Sequence, residues 1–422
     1  MAIINKYMSV YNIINIFPET LDVFVSHGLN MFEDENILND VGKFIKLNTI
    51  LNQRKINIDL FVNQLEEKIS QSKKHQNQNN DENIYTKEKL NVLGLLPCPL
   101  KMPLENAFEQ FIEDYKNKTN TDINYCLASN SNNQLNYYDY VDEFQNIEEI
   151  PDIIISPGIN GFFRKNFVDK FINKGYFVDV SNYEPNETLK KIGYQDPKHN
   201  YSMISMNILV MAVNTKKLDN APIPKTWVDL LNPVYEKKVA IRGNNKNSFC
   251  ETVLSAFYKE SGMEGIKQLS KSVKEGWHPS QMVKSLNSNK SDNIAICVLP
   301  YFYSKMINNE DVTIVWPEDG ALVNPISMLV KKSKFDELKD IAHYLAGDKI
   351  GQIFADAFYP SVNPQVNNRL PKDASLKWLG WDYINSNNMG DLVKKINASF
   401  ALSQCRNGRN GTVNNYFVGH GY

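Results

Sequence analysis

The sequence has only five cysteines and six histidines in 422 residues, and none of them forms a recognisable motif. The cysteines are odd in number, widely spaced and without a CxxC pair, so neither a disulfide framework nor a cysteine metal site is indicated. The histidines are isolated, with no HExxH motif, and no Walker A or dinucleotide-binding fingerprint occurs. These absences leave no catalytic constellation and no cofactor motif.

Long apolar runs and targeting signals are also missing. The best apolar window, 204–213, is interrupted by Ser205 and Asn207, so no membrane-spanning helix is expected. Residues 1–8 lack a basic and then apolar signal sequence, and the first cysteine is Cys98, too late for a lipoprotein anchor. We therefore expect a cytoplasmic protein, with the cell surface or a non-classical export route as the alternative.

Composition describes an ordinary soluble protein. The chain is 42% hydrophobic and 22% charged, and its length predicts two or three domains. A net charge of −2 gives no general attraction to nucleic acid or anionic membranes. Changes in pattern along the chain predict four parts: a helical module (1–70), a flexible polar linker (71–87), an α/β body (88–397) and an irregular Gly-, Asn- and Arg-rich tail (398–422).

The helical module begins with Ser9 as a helix cap, Pro18 at the start of a second helix and Gly28 at its end. This pattern in residues 8–29 resembles the small bacterial domain of unknown function called DUF1858, which occurs in redox and iron-repair proteins. Some relatives carry a cysteine pair after the glycine, where this chain has Leu29, Asn30, Met31 and Phe32. The resemblance thus implies docking to a cytosolic partner rather than disulfide chemistry, and the linker predicts a module that is tethered to the body.

The body alternates between strands and helices, which is typical of a mostly parallel sheet covered on both faces. Strands are expected at 90–96, 123–127, 152–156, 238–242, 294–299 and 312–316, and helices at 103–116, 138–144, 225–231, 248–261 and 300–308. The segments 201–215 and 322–331 suit strands that cross between two lobes. We expect lobe 1 to comprise about 88–205 and 325–397, lobe 2 about 206–324, and a ligand cleft to lie between them.

Three segments of the body, 224–241, 316–322 and 338–358, resemble the extracellular solute-binding proteins of ABC transporters. The most similar group has the type 2 periplasmic-binding fold and takes up ferric iron, polyamines, thiamine or phosphonates. The resemblance implies an α/β, two-lobed fold preceded here by a small all-α domain. It also implies a non-enzymatic bacterial monomer that closes around a small solute by hinge motion, with an ABC permease as partner.

One candidate ligand loop follows the strand that ends at Arg242. Backbone N–H groups at the next helix, capped by Asn247 or Ser248, together with Asn245 and the Arg242 guanidinium, favour an anionic group. The alternative is a solvated turn in an Asn-rich chain. From the other lobe, the loop 156–161 offers Ser156, Gly158 and Asn160 to a ligand, or is simply a turn into the next helix. Ser202, at the start of the first crossing segment, completes this group.

Three further residues lie at expected strand ends. Cys98 follows the first strand, where its thiol either contacts a ligand or soft metal or packs as a small apolar group. Tyr301 and its neighbour Tyr303 are potential phenolate ligands, but without converging carboxylates or histidines they are better explained as cleft walls or core. Glu318, in a turn before Gly320, is placed to face the cleft.

These observations predict a non-enzymatic protein that binds a small anionic or metal-containing solute between two lobes. The alternative is a cytosolic redox or metal-related accessory protein that uses a cleft thiol. No nucleic-acid partner and no metal ligand set are predicted.

Overall fold

The computed structural model describes residues 4–75, 90–129, 137–185, 187–243, 248–288 and 293–407. Ten strands form one sheet. They are β1 (Leu90–Leu96), β2 (Ile123–Ser129), β3 (Ile153–Pro157), β4 (Ser202–Asn214), β5 (Val239–Arg242), β6 (Val273–Trp277), β7 (Ile296–Pro300), β8 (Val312–Val315), β9 (Ala321–Val330) and β10 (Leu376–Lys377). The main order is β2-β1-β3-β9-β4-β7-β5-β6, with β8 paired to β4 and β10 paired to β9.

The helices surround this sheet, except for the first five, which form the N-terminal module. They are α1 (Val10–Ile16), α2 (Leu21–Ser26), α3 (Glu35–Asp40), α4 (Leu47–Gln53), α5 (Ile58–His75), α6 (Cys98–Thr119), α7 (Lys165–Phe167), α8 (Glu187–Lys191), α9 (Glu251–Ser272), α10 (Pro279–Leu286), α11 (Tyr301–Ser304), α12 (Phe335–Ala346), α13 (Asp348–Asp356), α14 (Trp381–Ser386) and α15 (Met389–Asn407). No helix in the described ranges is both long and apolar enough to cross a membrane.

The two crossing strands define the lobes. Strand β4 pairs antiparallel with β9 from Ser202↔Met328 to Leu209↔Leu322, and its second half pairs with β7 and β8. Lobe 1 contains the parallel strands β1, β2 and β3, and lobe 2 contains the parallel set β5, β6 and β7. The fold is therefore α/β with two lobes and a small all-α domain in front, as predicted.

Short segments between strands are less helical than expected. Residues 138–144 contain only a 3-10 turn, Tyr137–Tyr140, and the predicted helix at 225–231 is reduced to the 3-10 turn Val228–Leu231. Helix α9, by contrast, runs beyond its expected end at 261, with a break at Gly262, where φ is +58°. Glycine tolerates this left-handed backbone, so the chain bends and continues.

The helical module packs directly onto lobe 1, which differs from the predicted tether. Thr49 Oγ1 donates to Glu149 Oε2 at 2.6 Å, and both residues are fully buried. Nearby, Asn146 Nδ2 donates to the hydroxyl of Tyr7 at 3.1 Å. Residues 71–75, expected in the linker, belong to α5, and residues 76–87 of that linker lie outside the described residues.

The C-terminal segment is also more ordered than expected, because residues 398–407 belong to α15. Its later part packs on lobe 2, whereas Gly390 near its start lies against the Arg164 side chain of lobe 1. Phe400 is fully buried against Phe249, whose backbone N–H donates to Asn397 Oδ1 at 2.8 Å. Gln404 Nε2 donates to the carbonyls of Ser270 and Val273, both at 2.7 Å. Residues 408–422 of the predicted tail lie outside the described part of the chain.

Replacement of Phe400 by alanine tests whether α15 is part of the lobe 2 core. We expect a loss of about 3–5 kcal/mol in unfolding free energy, because the fully buried ring would leave a cavity. Leu402→Ala, on the same helix but 61% exposed, is the matched control and should change stability little. Equal unfolding midpoints for the two variants in urea would show that α15 does not contribute to the core.

Candidate functional site

The cleft is lined by residues at the carboxyl ends of strands from both lobes. Strand β1 leads to Cys98, the first residue of α6, and β3 leads into the loop after Ser156. From lobe 2, β5 ends at Arg242 and β7 leads to α11 with Tyr303. Loops at these strand ends form the ligand crevice in open α/β sheets.

Arg242 is the dominant charge in this cleft. Its side chain is exposed, and in the part of the chain that the structure describes its guanidinium makes no hydrogen bond or ion pair. Its positive charge nevertheless lowers the pKa of groups from both lobes, which are Tyr138, Cys250, Glu251, His278, Tyr303 and Tyr359. Because the guanidinium is exposed and has no ion pair among the described residues, it is available to an anionic ligand.

Cys98 lies with Tyr303 and Tyr359 near Arg242. Burial raises the pKa of both phenols. The charge of a Cys98 thiolate would raise each pKa further, whereas the charge of Arg242 lowers it. The half-buried Tyr303 and the buried Tyr359 are therefore neutral hydrogen-bonding groups at physiological pH. The four side chains form one cluster, which we call the cleft cluster.

Tyr301 has a different role from its neighbour. Its ring is 6% exposed and packs edge-on against Trp316 and Phe358, at centroid distances of 5.3 and 5.6 Å. The ammonium of Lys305 lies 4.2 Å from the ring centroid. The structure thus places Tyr301 in the wall of lobe 2 and Tyr303 in the cleft cluster.

The loop after β3 connects the lobes through Asn160. Its Nδ2 donates to Oε1 of Glu251, the first residue of α9 in lobe 2, at 3.0 Å. Burial raises the pKa of Glu251, while this hydrogen bond and the charges of Arg242 and Arg164 oppose the rise. Ser156 is buried, with its Oγ 2.9 Å from the hydroxyl of Tyr138. Ser156 and Asn160 therefore shape the base of the cleft.

Gly158 has the left-handed backbone expected of a turn. Its φ is +98°, and its N–H donates to the carbonyl of Pro325 in β9 at 2.8 Å. This hydrogen bond ties the loop to a crossing strand.

The remaining predicted residues do not join the cleft cluster. Ser202 is fully buried, and its Oγ accepts from the backbone N–H of Val180 at 2.8 Å. Glu318 points to solvent and pairs with Lys225 at 3.5 Å. Ser248 is exposed and does not cap α9, whose N-cap is Cys250. Asn245 and Asn247 lie outside the described residues.

Several cleft residues were not predicted: Tyr138, Glu251, His278 and Tyr359. His278 directly follows β6, so recognising 273–277 as a strand would have revealed it by the strand-end rule. Its Nδ1 accepts from the backbone N–H of Ser280 at 3.2 Å, which places the proton of the neutral ring on Nε2. Tyr359 carries no such signal, because it lies after α13 and far along the chain.

A cation site made of ordinary ligands is not evident in the cleft. No group of three or more histidine, cysteine, aspartate or glutamate residues is arranged to hold a metal ion within the described ranges. Among the described residues, the cleft instead offers one guanidinium, several phenols, a thiol, one imidazole and one carboxylate. These groups suit hydrogen bonding and charge pairing to an oxyanion.

A two-lobed α/β architecture with a cleft at the crossing strands defines a type 2 periplasmic-binding protein. The family model described as bacterial extracellular solute-binding protein matches residues 148–387, more than half of the chain, and the protein belongs to this family. The domain of unknown function DUF1858 matches residues 4–62. No curated protein matches the chain.

Solved structures agree on the fold. An ABC transporter from Clostridium perfringens ATCC 13124 is 17% identical, with a TM-score of 0.53 over 74% of this chain and 100% of that one. A ferric binding protein from Campylobacter jejuni is 14% identical, with a TM-score of 0.51 over 75% and 99%. A Trichodesmium protein in complex with iron and citrate is 14% identical, with a TM-score of 0.50 over 76% and 99%. At these identities the similarity concerns the fold alone.

Thiol alkylation at neutral pH tests the local environments of the cysteines. Burial raises the pKa of Cys126 to about 12 and also raises that of Cys250, and Cys297 is fully buried. Because the thiolate is the reactive form, these three should react slowly. Cys98, half-buried in the cleft, and the exposed Cys405 should react first, as resolved by peptide mass spectrometry. Protection of Cys98 equal to that of Cys297 would contradict its place in the cleft.

The proximity of His278 to Arg242 can be tested without a ligand. Burial, and then the Arg242 charge, lower the pKa of His278. Arg242→Gln should therefore raise that pKa toward the ordinary value, but not fully, since the ring stays buried. An NMR titration measures the change. Arg369→Gln, which removes an exposed arginine paired with Asp356, should leave the pKa of His278 unchanged.

Proposed function

We propose that the protein binds a small anionic solute, alone or as an anion–metal complex, in the cleft between its lobes, and performs no chemistry on it. The observation that carries this proposal is the exposed guanidinium of Arg242, which has no bonded partner in the described structure. Two other arginines of the body, Arg164 and Arg369, each form an ion pair at 2.8 Å. A guanidinium without an internal ion pair can bind a ligand without first displacing a protein partner.

The neighbours of Arg242 support an oxyanion as ligand. A planar guanidinium can bind carboxylate, phosphate or phosphonate oxygens through two parallel hydrogen bonds. The protonated phenols of Tyr303 and Tyr359 can donate to the remaining oxygens. Burial raises the pKa of Glu251, and one of its oxygens already accepts a hydrogen bond from Asn160. A ligand that also carries a cationic or hydroxyl group would find an acceptor there.

The distribution of these residues favours binding by closure. Cys98, Tyr138 and Tyr359 belong to lobe 1, whereas Arg242, His278 and Tyr303 belong to lobe 2. A solute that contacts both sets stabilises the closed arrangement relative to the open one, and the size of the shift equals its differential affinity. A small-molecule ligand and an ABC permease partner fit the family to which the chain belongs.

A metal would enter this cleft together with its anion. Two structural neighbours are a ferric binding protein and a complex with iron and citrate. In this chain the described residues offer phenols and one carboxylate instead of a cluster of acidic or imidazole ligands. Tyr303 could serve as a ligand to a hard cation only after losing a proton that burial helps it to retain. An anion held by Arg242 would supply the missing oxygen donors.

A thiol function for Cys98 is the second candidate, and its position beside Arg242 and Tyr303 favours it. A positively charged and partly exposed setting is typical of reactive cysteines. The two functions make different demands, because anion binding depends on Arg242 whereas thiol chemistry depends on Cys98. Location in the cytoplasm stays a prediction that cell fractionation tests.

Calorimetric titration with inorganic phosphate, citrate and ferric citrate tests the proposal. For whichever of these anions binds, Arg242→Gln should weaken the affinity by about 30-fold or more, because it removes the charge-assisted contact to the guanidinium. Arg369→Gln is the matched control, and Cys98→Ser should keep most of the affinity. Full binding by Arg242→Gln would overturn the assignment, and loss of binding only in Cys98→Ser would favour the thiol function.

A further inference from the structure

We propose that the helical module, α1 to α5, regulates the cleft of its own chain by holding the 3-10 turn Tyr137–Tyr140, hereafter the coupling turn. One side of this turn packs on the module and the other side shapes the cleft. The regulatory part of this inference rests on the proposed solute binding, whereas the mechanical connection does not.

The module side of the coupling turn is buried and polar. Tyr137 and Tyr140 are 2% and 3% exposed, and burial raises the pKa of both. The charge of Arg54, at the end of α4 in the module, lowers the pKa of Tyr140. The charge of Glu149 raises the pKa of Tyr137. The turn is thus enclosed between the module and the segment that carries Glu149.

Glu149 is the group that joins the module to this segment. Its Oε1 accepts from the backbone N–H groups of Gln145 and Asn146 at 3.1 and 2.9 Å, and its Oε2 accepts from Thr49 of the module at 2.6 Å. The carboxylate has no solvent exposure. If the module left or shifted, Oε2 would lose its hydrogen bond, so the buried carboxylate and its segment would have to rearrange.

The cleft side of the coupling turn is Tyr138. Its hydroxyl lies 2.9 Å from Ser156 Oγ, and both Arg242 and Glu251 act electrostatically on it. Its ring lies directly over Gly161, where an added Cβ would come within 2.5 Å of a ring carbon. Gly161 also has a φ of +77°, which favours glycine. The Tyr138 ring is therefore fitted closely to the cleft loop 157–161.

Arg164 carries the connection across the lobes. Its Nη1 donates to the carbonyl of Tyr138 at 3.0 Å and to Asp142 at 2.8 Å, and its Nε donates to Asn160 Oδ1 at 3.0 Å. Asn160 in turn donates to Glu251 of lobe 2 at 3.0 Å. The Arg164 side chain is only 11% exposed, so these bonds are shielded from water. A shift of the coupling turn would therefore move the hydrogen bond that joins the two lobes.

Coupling of this kind must be reciprocal. If docking of the module favours the cleft geometry that binds the solute, then the solute favours docking by the same factor. In this proposal the coupling turn is the shared element through which the module and the cleft act on each other. The module then acts as a positioning element for Tyr138 and Asn160.

Thr49→Val tests the mechanical connection in the full-length protein without any ligand. It removes one hydroxyl while keeping the side-chain shape. We expect faster amide hydrogen exchange in 157–164 and at the start of α9, in addition to the interface segment 137–150. Thr20→Val is the matched control, since Thr20 is equally buried in the module and its hydroxyl bonds within it, to the carbonyl of Phe17 at 2.6 Å. Glu149→Gln supplies a second variant should Thr49→Val unfold the module.

Faster exchange confined to 137–150, or equal effects of Thr49→Val and Thr20→Val at 157–164, would overturn the connection. The regulatory part is tested by calorimetry with whichever of phosphate, citrate or ferric citrate binds the wild type. Thr49→Val should weaken that binding about fivefold or more, the usual range of allosteric coupling. In a Tyr138→Phe background the same substitution should have a smaller effect, since the two residues act through one path.

The outcomes separate this inference from the proposed function. If none of the three anions binds the wild type but Thr49→Val still speeds exchange at 157–164, the proposed solute class is wrong and the connection stands. If an anion binds and Thr49→Val neither weakens binding nor changes exchange at 157–164, the solute function stands and the regulatory role of the module is wrong.

Discussion

The antiparallel pairing of β4 with β9 is the constraint on which the rest of the structure depends. A slip of one residue in this register would turn every buried side chain of the two crossing strands to the opposite face. The end of β9 is fixed by a buried ion pair, in which Lys331 Nζ lies 3.1 Å from Asp152 and both side chains are at most 4% exposed. Asp152 directly precedes β3, and breaking the pair would leave a buried charge, so the register of β9 against β3 is strongly specified. The strands of lobe 1 follow β9 in the sheet and those of lobe 2 follow β4, so the β4–β9 pair sets the positions of the loops that meet in the cleft.

Much of this architecture could be predicted from sequence because its strands have strong local patterns. The crossing strands were found from their length and from small polar residues between apolar ones, and β1, β3 and β7 from short apolar runs. Helix α15 was not predicted, and residues 398–407 were assigned to an irregular tail, because the Asn- and Gly-rich end of the chain hides Phe400, which is stabilised by packing on lobe 2. The tertiary contact, not the local propensity, decides that helix.

The cleft shows the same division. Arg242, Asn160 and Cys98 could be predicted to lie near the cleft because each is at or after the end of a recognisable strand. Glu251 and Tyr359 could not be found in this way, since their roles depend on groups far away in sequence: Asn160 for the former, and Tyr303 and Arg242 for the latter. The assumption that a polar spacer makes a module independent also failed. Only the three-dimensional contact between Thr49 and Glu149 shows that the module and lobe 1 share an interface.

That interface changes what the DUF1858 resemblance means for this chain. The resemblance implies docking, and one docking face of the module is already occupied by lobe 1 of the same polypeptide. A fully buried carboxylate stabilises the contact between the module and lobe 1 only while Thr49 and the two backbone N–H groups are in place, because an unpaired buried charge is strongly destabilising. The Glu149 carboxylate therefore makes the stability of the interface depend on the exact position of the module on lobe 1. Any other protein that binds the module must use its remaining surface, and by shifting the module it would act on the coupling turn and hence on Tyr138.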